Sequence, residues 1–218
     1  MSLEIHAGHP LFAELRKKLL WHCTSAMNFR KICGDGFIRP IEGTSNRWSN
    51  RPYACQTLGA VCLFDFTTES SEKVLSAANR WQQFVGSEKP ATVLLGLDER
   101  KLPGRIVRYP ENRDTTPEES SGPIPWVEVC HVGPIPVSAV VSHLLVCAAD
   151  YSKYSTHENL DDETLISVER EFREICALEA EQRAKQAAQF RAATESPEFK
   201  AQLERARQRA EEMKRGKP

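Results

Sequence analysis

The chain is poor in the motifs that usually betray a cofactor. It has seven cysteines, at positions 23, 33, 55, 62, 130, 147 and 176, yet no two stand at the C-x-x-C spacing. The count is odd and most lie in apolar runs. A disulfide framework is therefore not expected, and buried reduced thiols in a cytoplasmic protein are. The six histidines and the cysteines form none of the close-spaced ligand pairs of zinc sites, so no metal is expected either. The His6-to-His9 spacing sits in a terminus expected to fray. A phosphate-cradling glycine loop is also missing: Gly34-x-Gly36 lacks the third glycine of a dinucleotide fingerprint. The longest apolar run, Val137 to Ala149, is broken by Ser138, Ser142 and His143 and is too short to span a bilayer. Met1 to Pro10 is polar and shows no signal-peptide core. Neither sign of charge dominates, with 29 Lys and Arg against 30 Asp and Glu, so nothing global points to nucleic acid, although a local basic groove is compatible with this balance.

What is present is an α+β pattern. Of the 218 residues 40% are hydrophobic, and mean hydropathy is −0.47. The polar excess gathers after Asp161, so a core within residues 1–150 and a charged helical extension over 151–218 are expected. Leu11, Leu15, Leu19 and Leu20 are spaced as on a helix from Pro10 to Leu20. Trp21 to Thr24 reads as a strand, Ser25 as the cap of a following helix, and Gly34-Asp35-Gly36 as its end. Gly59 to Phe66, Ala91 to Leu97, Trp126 to Val132 and His143 to Cys147 read as strands, and Lys73 to Phe84 as a helix. Glu42 to Pro52 and Tyr109 to Pro125 read as loops. Leu165, Val168, Phe172 and Ile175 form an amphipathic stripe that should dock on the core. Ser196-Pro197 starts a second helix reaching to about Met213.

Two side chains could carry chemistry. Glu128 alternates with Val127 and Val129, so it shares a strand face with Trp126, Cys130 and Val132. A carboxylate in apolar company is costly unless paired or at work; an edge-strand or salt-bridged structural glutamate is the plainer alternative. His22 stands in a similar apolar strand, with Thr24 on its face, where a satisfied core histidine is the plainer alternative. His131 faces away from Glu128, and Cys23 faces away from His22, so the adjacent Cys–His pair cannot cooperate directly.

The run Trp21-His22-Cys23-Thr24-Ser25, continued by Phe29-Arg30-Lys31-Ile32 and Gly36-Phe37-Ile38, resembles the opening of ADP-ribosyltransferase folds. Trp126-Val127-Glu128-Val129 followed by Gly133-Pro134-Ile135-Pro136 looks like the catalytic-glutamate strand of their DarT-like branch. The resemblance covers Leu20 to Val146 and implies a split-sheet ADP-ribosyltransferase-like core with NAD as substrate. It implies that His22 bonds the adenine-side ribose, that Thr24 shapes the pocket and that Glu128 bonds the nicotinamide ribose. The aromatic that stacks nicotinamide is Tyr53 by preference, with Phe64 and Trp48 as alternatives. Arg47 and Arg51 are candidates for the arginine of the DarT-like loop, Arg47 toward the cofactor and Arg51 toward catalysis. The middle motif departs from the family pattern, which leaves the acceptor open.

The expected activity is NAD-dependent transfer of ADP-ribose, a glycosyl transfer, to a macromolecular acceptor: RNA, DNA or protein. A toxin-like role, with an antitoxin or immunity protein as further partner, fits the same resemblance; a membrane partner does not. RNA 2′-phosphotransferases also use NAD and an early histidine, but rely on arginines where this chain has Glu128. A non-enzymatic module with a helical arm is the third reading.

Overall fold

The computed structural model describes residues 4–40, 54–114 and 122–215. Thus Arg47, Trp48, Arg51 and Tyr53 lie outside the described residues.

In chain order the elements are α1 (Pro10–Leu15), β1 (Leu20–Ser25), α2 (Ala26–Asp35), β2 (Phe37–Ile38), α3 (Ala54–Thr57), β3 (Ala60–Asp65), α4 (Ser71–Ser76), α5 (Ala78–Val85), β4 (Ala91–Leu97), β5 (Ile106–Val107), α6 (Glu111–Asp114), β6 (Glu128–Val132), β7 (Ile135–Pro136), β8 (Val140–Cys147), β9 (Tyr154–His157), α7 (Asp162–Glu195) and α8 (Pro197–Arg215). Seven strands make one antiparallel sheet in the order β5-β6-β3-β1-β4-β8-β9, and β2 pairs with β7 apart from it. The fold is mixed α and β with a long C-terminal helix, as the pattern of the sequence requires.

Local chemistry sets the boundaries. The Ser25 hydroxyl accepts the Asn28 amide and opens α2, and Gly36 closes it at φ 73, a conformation glycine adopts without penalty. The helix expected to reach Leu20 stops at Leu15, where Arg16 leaves helical geometry. Leu19 and Leu20 therefore lead into the sheet instead. The helix expected over Lys73 to Phe84 is two helices, divided at Ala77. The strand at Glu128 begins at that residue, because Trp126 sits in a turn at φ 66, a left-handed conformation a tryptophan adopts only under constraint.

Both faces of the sheet are covered. β4 is buried at all seven positions, so its apolar run serves two cores. On one face Leu20, Leu63, Val93, Leu95, Val129 and Leu145 meet Phe29 of α2 and Leu165 and Phe172 of α7. On the other, Trp21, Phe64, Leu94, Leu144 and Val146 meet Leu11 and Leu15 of α1 and Val74 and Trp81 of α4 and α5. Val168 and Ile175 also pack against the first core, so the expected stripe of α7 docks as a unit. Accordingly, the compact unit that holds the sheet extends through Cys176, past residue 150, and residues 177–218 form a second unit.

The sheet is split. β1 pairs with β4 at six positions, from Leu20↔Leu97 to Ser25↔Thr92. It pairs with β3 at two, Leu20↔Asp65 and Trp21↔Phe64. Beyond Trp21 the backbones of β1 and β3 part, and His22 is the first residue past the last pair.

Candidate active site

At that parting point stands Cys62. Its carbonyl accepts the Nδ1 hydrogen of His22 at 3.0 Å. Burial holds the His22 pKa below its ordinary value, opposed in part by this bond. The ring is thus neutral near pH 7, and donation from Nδ1 leaves Nε2 as an acceptor.

The thiol of the same residue donates to Oε1 of Glu128 at 3.6 Å, within the reach of sulfur. Phe64 and Cys62 of β3 stand opposite Glu128 and Cys130 of β6, so these four side chains share one face of the sheet. Strand alternation places His22 on the opposite face, with Leu20. The imidazole and the carboxylate are therefore not side by side. Each is bonded to Cys62, His22 to its carbonyl and Glu128 to its thiol.

Glu128 is held by its own turn. Its Oε2 accepts the Ile124 amide at 2.8 Å, while its amide donates back to the Ile124 carbonyl at 3.0 Å. Its own carbonyl takes a hydrogen bond from Asn112 Nδ2 at 2.8 Å. The side chain is 3% exposed. Burial pushes its pKa up to about 6, against the smaller opposing effects of the Ile124 amide, the Cys62 thiol and the positive charge of Arg80. The carboxyl is mostly ionised at pH 7 and close to its protonation point, as a group that trades protons near neutrality must be.

The preceding turn is built around Trp126. Its ring meets Tyr109 edge-on at 4.5 Å between centroids and carries the Lys73 ammonium at 4.7 Å. These contacts surround the left-handed residue two positions before Glu128.

The other candidates are placed as follows. Thr24 is buried on the face of His22, opposite Val93. Phe64 is buried against Phe66 and Phe84, with its ring in the second core. His131 faces the carbonyls of Gly133 and Pro103 and is fully buried, on the face opposite Glu128 as expected. Burial raises the Cys23 thiol well above its ordinary pKa, the direction that favours the unreactive thiol.

A cluster not foreseen from the sequence surrounds Glu128. Cys55 of α3 hydrogen-bonds Cys62, and the two thiols and the Glu128 carboxylate lie within 4.8 Å of one another. The seven-residue step from Cys55 to Cys62 is wider than the ligand spacings by which sequence reading recognises zinc sites. The alternation of Glu128 with Cys130, and of Cys62 with Phe64, was the available signal.

No protein-family model, curated protein or solved structure matches this chain.

Proposed function

We propose that the chain is an NAD-dependent ADP-ribosyltransferase acting on a macromolecular acceptor. One observation carries the reading: a buried carboxylate is bonded to the Cys62 thiol while the carbonyl of the same residue takes His22 on the other face of the sheet. The sequence resemblance at Trp21–Ser25 and Trp126–Val129 adds to this reading. With Nδ1 donating to the Cys62 carbonyl, Nε2 of His22 is the ring nitrogen that would accept a ribose hydroxyl. Glu128 is a fixed negative charge in a dry setting, where it stabilises positive charge developing at a ribosyl carbon far better than water would.

In the reaction the bond between nicotinamide and the ribose carbon breaks, and its electron pair leaves with nicotinamide. The acceptor's oxygen or nitrogen forms the new bond to that carbon and surrenders its proton. Glu128, with a pKa of about 6, is the base suited to take it. Its contacts to Ile124 and Cys62 keep it oriented before substrate arrives, so little reorganisation is left to the reaction.

The test is incubation of the chain with labelled NAD and separate pools of protein, RNA and single-stranded DNA. Label transferred to one pool, and lost in Glu128→Gln, is the expected result. Absence of both NAD binding and NAD consumption would leave the non-enzymatic module as the reading.

A further inference from the structure

The chemistry just proposed uses Glu128 alone among the polar groups on its face of the sheet, yet two thiols stand against it. Cys55 comes from α3, Cys62 from β3 and Glu128 from β6, so three separate elements converge on one small volume. One ligand atom of each lies within 4.8 Å of the other two. Cys55 and Glu128 are each 3% exposed. Cys130, the cross-strand partner of Cys62, adds a further buried thiol to the same face.

Two sulfurs and one carboxylate oxygen suit a particular class of ion. Hard cations such as magnesium and calcium take oxygen ligands and would leave the thiols unused. Zinc and cadmium accept thiolate, carboxylate and an open fourth position. Zinc–sulfur and zinc–oxygen bonds of about 2.3 and 2.1 Å put ligand atoms roughly 3.5–3.8 Å apart on a tetrahedral ion. Cys62 Sγ and Glu128 Oε1, 3.6 Å apart, already stand at that spacing, and no pair of the three needs to close by more than about 1.3 Å, within the reach of a cysteine rotamer change.

We propose that Cys55, Cys62 and Glu128 form a binding site for a soft divalent cation of the zinc class, and that filling it withdraws Glu128 from catalysis. The second half rests on the transferase reading; the first does not. Binding converts both thiols to thiolates and releases their protons to solvent, and the ion takes the place on Oε1 that the Cys62 thiol hydrogen holds without it. Oε2 can keep the Ile124 amide. A carboxylate bound to the cation no longer offers a free charge to the ribosyl carbon.

Cadmium is the probe, because its thiolate bonds absorb in the ultraviolet. Titration of the reduced, chelator-stripped full-length chain should give a charge-transfer band that saturates at one ion per chain and is displaced by zinc. Cys55→Ser and Cys62→Ser should each weaken binding by about tenfold or more, as loss of a direct ligand must exceed the loss of a supporting one. Cys147 and Cys176 lie against each other elsewhere in the chain, so Cys176→Ser is the control and should bind as the parent does. Cys55→Ala, with native far-ultraviolet dichroism, decides the matter if Cys62→Ser fails to fold. A missing band, or a band that survives Cys55→Ala and vanishes in Cys176→Ser, overturns the site. In the NAD assay, zinc should inhibit the parent at the concentrations that fill the site and spare Cys55→Ala. Cadmium binding without any NAD turnover would sustain the site and overturn the transferase reading. Turnover indifferent to zinc would overturn the inhibitory role.

Discussion

Glu128 keeps a negative charge at neutral pH where charge is expensive, 3% exposed and with no cation bonded to its carboxylate oxygens among the described residues. A residue retained only for stability would not be chosen for this. Glu128→Gln preserves shape and removes the burial cost. In metal-free buffer at pH 7 the variant should unfold at a temperature no lower than the parent's, while NAD turnover falls by about a hundredfold or more, the scale of losing one electrostatic stabiliser. Calorimetry and a single-turnover assay read the two effects separately. His22→Ala should behave differently: it loses one ribose bond worth about 1 kcal/mol, or roughly fivefold in NAD affinity, and an equilibrium titration measures it. Collapse of the fold in that variant would make His22 a core residue. Glu128 was legible in the sequence because strand alternation isolates a charge on an apolar face. Cys62 was not, since its link to His22 is a main-chain carbonyl and its neighbour Cys55 arrives from a helix of four residues.

β3 ends on a carboxylate with a different role. Asp65 accepts from the amide and hydroxyl of Thr67 and the amide and hydroxyl of Thr68, at 2.6 to 3.1 Å, with Arg108 at 3.5 Å. Burial alone would raise its pKa, but these bonds outweigh it and the net direction is down from 3.8. A depressed folded-state pKa stabilises above the unfolded value and is lost as pH falls through the folded one. Asp65→Asn should therefore cost about 2 kcal/mol at pH 7, as expected for bonds to a charged group, and progressively less below pH 3.8, which denaturant titration at both ends will show. The strand at Ala91 to Leu97, the caps at Ser25 and Gly36, and the start of α8 were all readable, because each is dictated by local chemistry. β9 was not: Tyr-Ser-Thr-His has no apolar alternation, and it is a strand because β8 offers its edge. The early end of α1 was hidden because Leu19 and Leu20 keep helical spacing by coincidence while serving the sheet.

The chain divides after Cys176, and the second unit exposes Leu178, Phe190, Phe199 and Leu203. The α7 ion pairs Arg183–Glu179, with the carboxylate half-buried, and Lys185–Glu181, exposed, are each worth a few tenths of a kcal/mol. Truncation after Thr194 should leave thermal unfolding of the first unit and slow NAD cleavage intact, while modification of the macromolecular acceptor drops. Full acceptor modification by the truncated chain would show residues 195–218 dispensable for substrate capture. Phe172 is another matter: 3% exposed in the first core, it should cost about 3–5 kcal/mol on truncation to alanine, measured by denaturant unfolding. The uneven strand pairing also makes the sheet behave like perforated paper. Two residue pairs join β1 to β3, against six joining β1 to β4 and seven joining β4 to β8. Rare opening follows the line that breaks fewest bonds, so the amides of β5, β6 and β3 should exchange with deuterium as one block, earlier than those of β4 and β8. Glu128 rides on one side of that tear line and His22 on the other, so opening along it changes the distance between them.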